Sequence, residues 1–362
     1  MNIAIYLDLP DGGAKRTMDE ITPLLSKNNK VSIFSCNSIL NNSRFRLLRD
    51  IDSLIVSRIL QKKLANIINK SNFDICFVTH DRHLQSPWIL RFLRKPVVFL
   101  CQEPTRAFFE KFLDIDKKLP FLKLIYEKLN RQLRKQAEVE NAQYPNKIIA
   151  NSHYSVESIF RAYGKYATPI YLGVNLKTFF PQKNKLKNQV IIVGNNEPQK
   201  SLKLAVESLS LLPVRVRPEL FIACPRKNSL SEIIKLAKSN KVKLKIKYGL
   251  SPADLAKEYQ HSLATLACAS LEPFGLSVVE SLACGTPVVA VKEGGFRETI
   301  KNGYNGFLVE RDPQKISKAI EKLIKDKKLR QKLSHNCSTY AQKTYTWEKT
   351  VKKIENLMYE IT

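Results

Sequence analysis

Short apolar runs alternate with longer amphipathic stretches along this chain, and the alternation occurs twice. This pattern limits the fold more than any other feature. A run such as Gln189-Val-Ile-Ile-Val193 is apolar on both faces of a strand, so both faces must be covered. Helices between successive strands supply that cover, and the strands are then parallel. Candidate strands in the first half are 2–7, 31–35, 74–79, 97–101, 147–150 and 168–172. In the second half they are 189–193, 219–223, 243–248, 263–268, 287–291 and 306–309. Helical spacing over 200–212 sets Leu202, Ala205, Val206, Leu209 and Leu212 on one side. Over 313–325 it does the same with Ile316, Ala319, Ile320, Leu323 and Ile324. A polar break, Pro181–Asn188, reads as a linker. The expected domains are therefore 1–180 and 188–344, each a doubly wound α/β unit. Two such units facing each other would leave a cleft, with ligands beyond the carboxyl ends of the strands.

A length of 362 residues fits two domains, and 44% hydrophobic residues suffice for two buried sheets. The formal charge is +27. Residues 1–180 hold 28 Lys and Arg against 16 Asp and Glu, and the rest hold 32 against 17, so the excess is no tail. Such a field favours acidic partners, and a solvated Lys-rich surface gives the same number. No module of a nucleic-acid reader accompanies it, and no nucleic-acid partner is expected. Seven single cysteines form no CxxC pair and read as reduced, buried thiols of a cytoplasmic protein. The N-terminal Met1–Leu7 reads as a first strand and not as a signal peptide. No run approaches the roughly 18 apolar residues of a spanning helix. Residues 105–143 read as a long helical stretch rich in both basic and bulky apolar side chains. Such a stretch suits an anionic membrane face, or a core-packing helix pair with a solvated basic side.

The densest chemistry lies in Ala269–Ala290, which reads as strand, loop, helix, Gly turn, strand. The helix begins near Gly275 and ends at Gly285. Its first turn offers free N–H groups, and Gly275 lets a phosphate oxygen approach them. Glu272 then stands beside the phosphates, placed to accept hydroxyl donors. Glu280, further along, suits the paired hydroxyls of a ribose. Each Glu alone reads equally as charge compensation at a helix start; the Glu-x7-Glu spacing within Glu-Pro-Phe-Gly-Leu is far more specific.

This segment resembles the signature of retaining glycosyltransferase family 4, the group 1 glycosyl transferases of GT-B fold. The likeness continues through Gly294-Gly295-Phe-Arg-Glu298, Asn302-Gly303-Tyr-Asn-Gly306, Asn151-Ser-His-Tyr-Ser and Tyr171–Pro181. Tyr345-Thr-Trp-Glu348 resembles the start of the family's last helix, which implies that 345–362 crosses back to the first domain. The resemblance covers most of 145–362 and is loose before that. It implies two Rossmann-like domains, an acceptor-binding first and a donor-binding second. It implies a nucleotide-sugar donor, UDP- or GDP-linked, as substrate with no separate cofactor. Glu272 would contact the donor sugar, Phe274, Gly275 and Leu276 would give backbone to sugar and phosphate, and Glu280 would bind ribose. Transfer would retain the anomeric configuration without a metal.

A second donor element is Gln189–Lys200. Gly194 permits a tight turn, and Lys200, read on the first turn of a helix, would neutralise a leaving diphosphate. Asn195 stands where the family carries Arg, so one phosphate-binding charge is missing. In the first domain, Gly12 and Gly13 resemble the family's Gly-Gly turn. His80 and His83 follow one strand and Gln102 and Glu103 another, all candidates on the acceptor side. His80 or His83 could orient or deprotonate an acceptor hydroxyl, or be satisfied structural residues. Gln102 stands where relatives place a His. Asp50-Ile-Asp52 and Asp114-Ile-Asp116 fall in basic helical or loop segments and read as chance, and no zinc spacing occurs. The leading reading is a glycosyltransferase with a saccharide or lipid-linked saccharide acceptor, at the inner membrane face, in cell-surface polysaccharide or glycolipid synthesis. The alternatives are a weak or inactive relative, motivated by Asn195 and Gln102, a nucleic-acid binder, and a sugar-nucleotide epimerase.

Overall fold

The computed structural model describes residues 1–10, 12–36, 45–110, 119–182, 185–227 and 229–362. The chain divides into two units, Met1–Tyr171 with Thr350–Thr362, and Leu172–Lys349. The division falls at Tyr171–Leu172, short of the expected 180. Residues after Tyr171 pack with the second unit: a Val174–Thr346 bridge forms, and Phe179 meets Tyr259 with ring centroids 6.3 Å apart.

In the first unit the order is β1 Asn2–Asp8, α1 Gly13–Leu25, β2 Lys30–Phe34, α2 Arg46–Ile51, α3 Ser57–Lys70, β3 Ile75–Asp81, β4 Val97–Leu100, α4 Arg106–Phe109, α5 Phe121–Asn141, β5 Lys147–Ala150, α6 His153–Tyr163 and β6 Thr168–Pro169. The strands form one sheet, β2-β1-β3-β4-β5-β6, and every pair is parallel. Strand order reverses between β1 and β3. A π-type turn, Asp52–Val56, joins α2 to α3. β6 is shorter than the expected 168–172 and lies at the sheet edge, where Pro169 costs the ladder nothing because Ile170 N donates to Ala150 O at 2.8 Å.

The expected single helical stretch over 105–143 is broken. α4 ends where Glu110 is extended, and α5 begins after Pro120. A proline ring fixes φ and removes a donor, so it starts a helix but does not continue one. Asp114–Asp116 lie outside the described residues.

The second unit runs β7 Gln189–Val193, α7 Leu202–Ser210, β8 Glu219–Cys224, α8 Ser231–Ser239, β9 Leu244–Tyr248, α9 Pro252–His261, β10 Ala264–Ala267, α10 Leu276–Ala283, β11 Val288–Val291, α11 Phe296–Thr299, β12 Gly306–Val309, α12 Pro313–Lys325 and α13 Lys327–Thr344. Its sheet, β12-β11-β10-β7-β8-β9, is parallel throughout. Here the order reverses between β7 and β10. The central strands are buried along their length, as continuous apolar runs require. Local signals set the helix ends. Asp312 caps α12 through Gln314 N at 2.6 Å, with Pro313 in first position. Gly285 leaves α10 at φ 75°.

A last helix, α14 Trp347–Tyr359, starts in the second unit and continues into the first. Thr350 Oγ1 donates to Tyr171 O at 2.8 Å, and Asn29 Nδ2 donates to Glu355 Oε1 at 2.7 Å. Its start is fixed by a close backbone approach at Gly173. A Cβ there would meet Trp347 N at 2.4 Å and Trp347 Cα at 2.7 Å. Among the described residues, no helix is long and apolar enough to cross a membrane. All seven cysteines are free, and six are buried.

Gly173→Ala forces backbone apart at that contact. The expected loss is about 1–3 kcal/mol, typical of overpacking, read as a lower midpoint in thermal unfolding. An unchanged midpoint would remove the approach from the account of how α14 is placed.

Candidate functional site

The site of the second unit follows from its topology. β7 and β10 are neighbours at the reversal, and the segments leaving them diverge. A crevice opens there beyond the carboxyl ends of the strands. The loop after β7 carries Gly194, Asn195 and Lys200, and the loop after β10 carries Glu272, Phe274 and Gly275. These are the segments that the sequence singles out.

Lys200 does not lie on the first turn of a helix. It ends a 3-10 turn, Pro198–Lys200, and Ser201, at φ 51°, separates it from α7. The turn directs its ammonium to Glu272, with Nζ 2.8 Å from Oε2. The two side chains are 30% and 21% exposed, so the pair lies at a wet boundary. Gly194 packs on the Lys200 stem, and a Cβ there would meet Lys200 Cβ and Cγ at 3.3 Å. The structure thus brings Gly194, Lys200 and Glu272 together. Asn195 Oδ1 is buried with no partner.

Gly275 precedes α10 at φ 88°, a conformation that favours glycine, and a Cβ would strike Phe296 Cε1 at 2.7 Å. Leu276 opens α10, whose first turn leaves N–H groups unpaired within the helix and carries its positive end. Phe274 is 2% exposed and packs edge-on against Tyr345, so its ring belongs to the core. Glu280 is buried on α10, where Oε2 accepts from Tyr259 Oη at 3.3 Å. A cavity of about 410 Å³ flanks this region, lined by Glu197, Ser201 and Lys203 among others, and excludes Lys200 and Glu272.

Several supports of the site were not legible from spacing. Arg311, after β12, donates through Nε to Glu293 Oε1 at 2.8 Å and through Nη2 to Oε2 at 2.7 Å. Its Nη1 reaches Ser201 Oγ at 3.1 Å and Cys268 O at 2.9 Å. One guanidinium so ties the loops after β7, β10, β11 and β12. Arg311 holds the Glu293 carboxyl below its usual range. Gly294 and Gly295 let the turn after β11 lie against the Glu272 backbone. A Cβ at Gly294 would meet Glu272 O at 2.4 Å, and Gly295 N donates to that oxygen at 2.8 Å. The paired glycines were the one signal available.

In the first unit the candidates lie at the ends of β1, β3 and β4 or just beyond them. Gly12 precedes α1 in extended backbone, with the nearest atom to an added Cβ at 4.0 Å, so the fold itself does not require glycine. Gly13 is the first residue of α1. His83 Nε2 faces the buried Asp52 at 3.5 Å. Glu103 lies 4.0 Å from Arg106 Nε, and Gln102 is half-buried. His80 lies within β3, its Nδ1 buried without a partner, and burial pushes the imidazole down to about 4. A base poised near neutral pH is therefore not what the structure shows at His80. Among the described residues, no three His, Cys, Asp or Glu side chains gather as metal ligands would. Asp50 of the first Asp-x-Asp triplet accepts from Tyr126 Oη at 2.7 Å.

The His80 pKa lies below its ordinary 6.5, so the unfolded chain takes up a proton as pH falls through 6.5 while the fold does not until about 4. His80 therefore removes stability progressively across that window and none above it. His80→Phe should flatten the fall of the thermal midpoint between pH 6.5 and 4. A wild-type slope in the variant would place the titration elsewhere.

Residues 175–344 match the family described as Glycosyl transferases group 1. A probable sucrose-phosphate synthase of Thermosipho melanesiensis is 28% identical over 258 residues. That match takes in 64% of this chain and spans 58% of the relative's length. Among solved structures, a sucrose-phosphate synthase from Thermosynechococcus elongatus superposes with TM-score 0.78 at 17% identity, covering 99% of this chain and 98% of its own. HepE of Anabaena, in complex with UDP and glucose, gives 0.73 at 17% identity, covering 99% and 100%. At such identities the likeness is one of fold, the two-domain GT-B architecture of parallel six-stranded sheets. Within residues 175–344, just under half of the chain, the protein is similar to the group 1 glycosyl transferases.

Proposed function

We propose that the protein transfers a sugar from a nucleotide-sugar donor to a saccharide or lipid-linked saccharide acceptor, with retention at the anomeric carbon. The observation that carries this reading is the Lys200–Glu272 pair at the β7/β10 reversal, beside the glycine start of α10. The donor diphosphate lies against the first turn of α10, where N–H groups and Lys200 meet its charge. Glu272 exchanges its ammonium partner for hydroxyls of the donor sugar. Glu280, on the flank of α10, takes the ribose.

As the bond to the diphosphate breaks, negative charge grows on the leaving oxygen, and Lys200 stabilises it. The acceptor hydroxyl attacks from the same face, and its proton passes to the departing phosphate. No covalent nucleophile, metal or further cofactor enters this scheme. The Anabaena neighbour's UDP and glucose make UDP-glucose the donor to test first. Asn195, whose Oδ1 has no partner and which stands where the family carries Arg, favours the second reading, a relative that binds nucleotide and transfers weakly.

The exposed face of α5 supports an acceptor at a membrane. Phe121, Leu122 and Leu129 are 74%, 80% and 58% exposed, with Lys123 and Lys128 beside them. Apolar side chains flanked by cations fit an anionic bilayer surface, which would set the protein at the inner membrane face, in cell-surface polysaccharide or glycolipid synthesis.

Calorimetry with UDP-glucose and a transfer assay test the donor site. Lys200→Ala should weaken donor binding about ten- to a hundredfold, the loss of a hydrogen bond to a charged group, about 1.5–3 kcal/mol. Glu280→Ala should also weaken binding, and Glu272→Ala should mainly lower kcat. Three variants with wild-type binding and turnover would move the donor site elsewhere. Leu122→Glu with Leu129→Glu should release the protein from anionic vesicles without altering donor binding. Unchanged vesicle binding would remove α5 from the membrane reading.

A further inference from the structure

The first sheet reverses its strand order between β1 and β3, and a cavity of about 330 Å³ lies beyond the end of β3. Four arginines line it: Arg46 and Arg49 of α2, Arg82 of the turn after β3, and Arg134 of α5. Asp50 is the one carboxylate among the lining residues described. Asp8, Glu127 and Asp52 hold the wall from outside the lining, so the cavity itself is faced by guanidiniums and one carboxylate. Arg82 Nε donates to Asp8 Oδ1 at 2.9 Å, Arg46 pairs with Glu127 and stands 3.7 Å from Asp50, and Arg134 Nη2 donates to His83 O. The buried Asp52 faces His83 behind the wall. A guanidinium carries five N–H groups, and at Arg134 the tie through Nη2 orients the fork while Nε stays without a partner.

Two buried polar atoms of the lining residues have no partner, Ser53 Oγ and Arg134 Nε. Ser53 is 2% exposed. Folded proteins seldom leave such atoms unpaired unless something outside the chain meets them. Ser53 also lies in the π-type turn between α2 and α3, a distortion that recurs at functional sites. Several convergent forks and a hydroxyl donor suit a tetrahedral oxyanion, which offers more acceptor oxygens than a carboxylate.

We propose that this cavity binds a phosphate ester, and that the acceptor is therefore phosphorylated. The word acceptor rests on the glycosyl-transfer reading; the phosphate site does not. The cavity's volume exceeds one phosphate, so it admits a sugar phosphate or a diphosphate. The phosphate comes from a lipid headgroup or from a soluble ester, and both present the same group to the arginines.

The test is calorimetric titration with inorganic pyrophosphate, without donor. The proteins are wild type, Arg49→Gln with Arg134→Gln, Asp50→Asn and Lys200→Ala. The double variant should bind at least tenfold more weakly at one site, and Lys200→Ala should keep that site. Asp50→Asn should tighten it severalfold, a gain that misfolding does not produce. A parallel arm compares vesicles containing phosphatidic acid with vesicles of matched charge containing phosphatidylglycerol. Loss of both pyrophosphate binding and the phosphatidic acid preference in the double variant assigns a lipid-borne phosphate; loss of pyrophosphate binding alone assigns a soluble ester. A wild type that binds no UDP-glucose would fail the transfer reading and leave this site standing. Pyrophosphate binding equal in the double variant and wild type, or abolished by Lys200→Ala alone, would overturn the proposal.

Discussion

The reversal of strand order between β7 and β10 is the constraint on which the second unit depends. Two parallel neighbours whose following segments go opposite ways cannot cover their own carboxyl ends. Loops must fill that gap, and loops carry backbone polar groups that need partners. Arg311 meets this need by holding Glu293, Ser201 and Cys268 O at once. Gly294 and Gly295 meet it by letting backbone touch backbone at Glu272. With the loops so held, Lys200 and Glu272 have little freedom beyond their side-chain torsions. The geometry of the pair is thus a product of topology, although neither residue belongs to a strand.

The first unit has the same kind of reversal and fills it differently. Asp8, at the end of β1, holds Arg82, beyond the end of β3. The π-type turn then brings Ser53 to a wall that three further arginines share. At one reversal a cation is matched by a carboxylate, and at the other cations outnumber the lining carboxylate. The excess of +27 spread over the whole chain does not distinguish the two places. Local count and burial do, because exposed charges more than about 10 Å away are largely screened.

How far the sequence could be read follows from how local each feature is. All twelve strands stand within a few residues of their expected positions, because a buried parallel strand is written in its own apolar run. Glu272, Gly275 and Glu280 were legible because one loop and one helix carry them all. Lys200 was placed on a helix since its periodicity continues into α7, and the φ of 51° at Ser201 leaves no local mark. Pro120 should have divided the stretch 105–143, and bulky apolar residues on either side masked it. Arg311 and the arginine wall were not legible at all. Their partners lie far away in sequence, and Arg in a basic chain draws no notice. The burial of His80 was not legible for a related reason: its type leaves a base and a structural residue equally open, and the surroundings that lower its pKa are set by the fold.

Magnitudes decide whether the Lys200–Glu272 pair belongs to the fold or to the donor. At 30% and 21% exposure the pair is partly solvated, and such pairs contribute about 0–1 kcal/mol. The loops are already fixed by Arg311 and by close backbone contacts, so the fold loses little if the pair opens. A diphosphate at Lys200 and sugar hydroxyls at Glu272 offer charge-assisted bonds of about 1.5–3 kcal/mol each. Exchange is then favourable, and until it happens neither charge is left alone. A stronger, fully buried bridge would hold the site closed against its own ligand, since opening it would strand a charge at about 3–5 kcal/mol. Partial exposure is therefore what the proposed donor site requires of this pair.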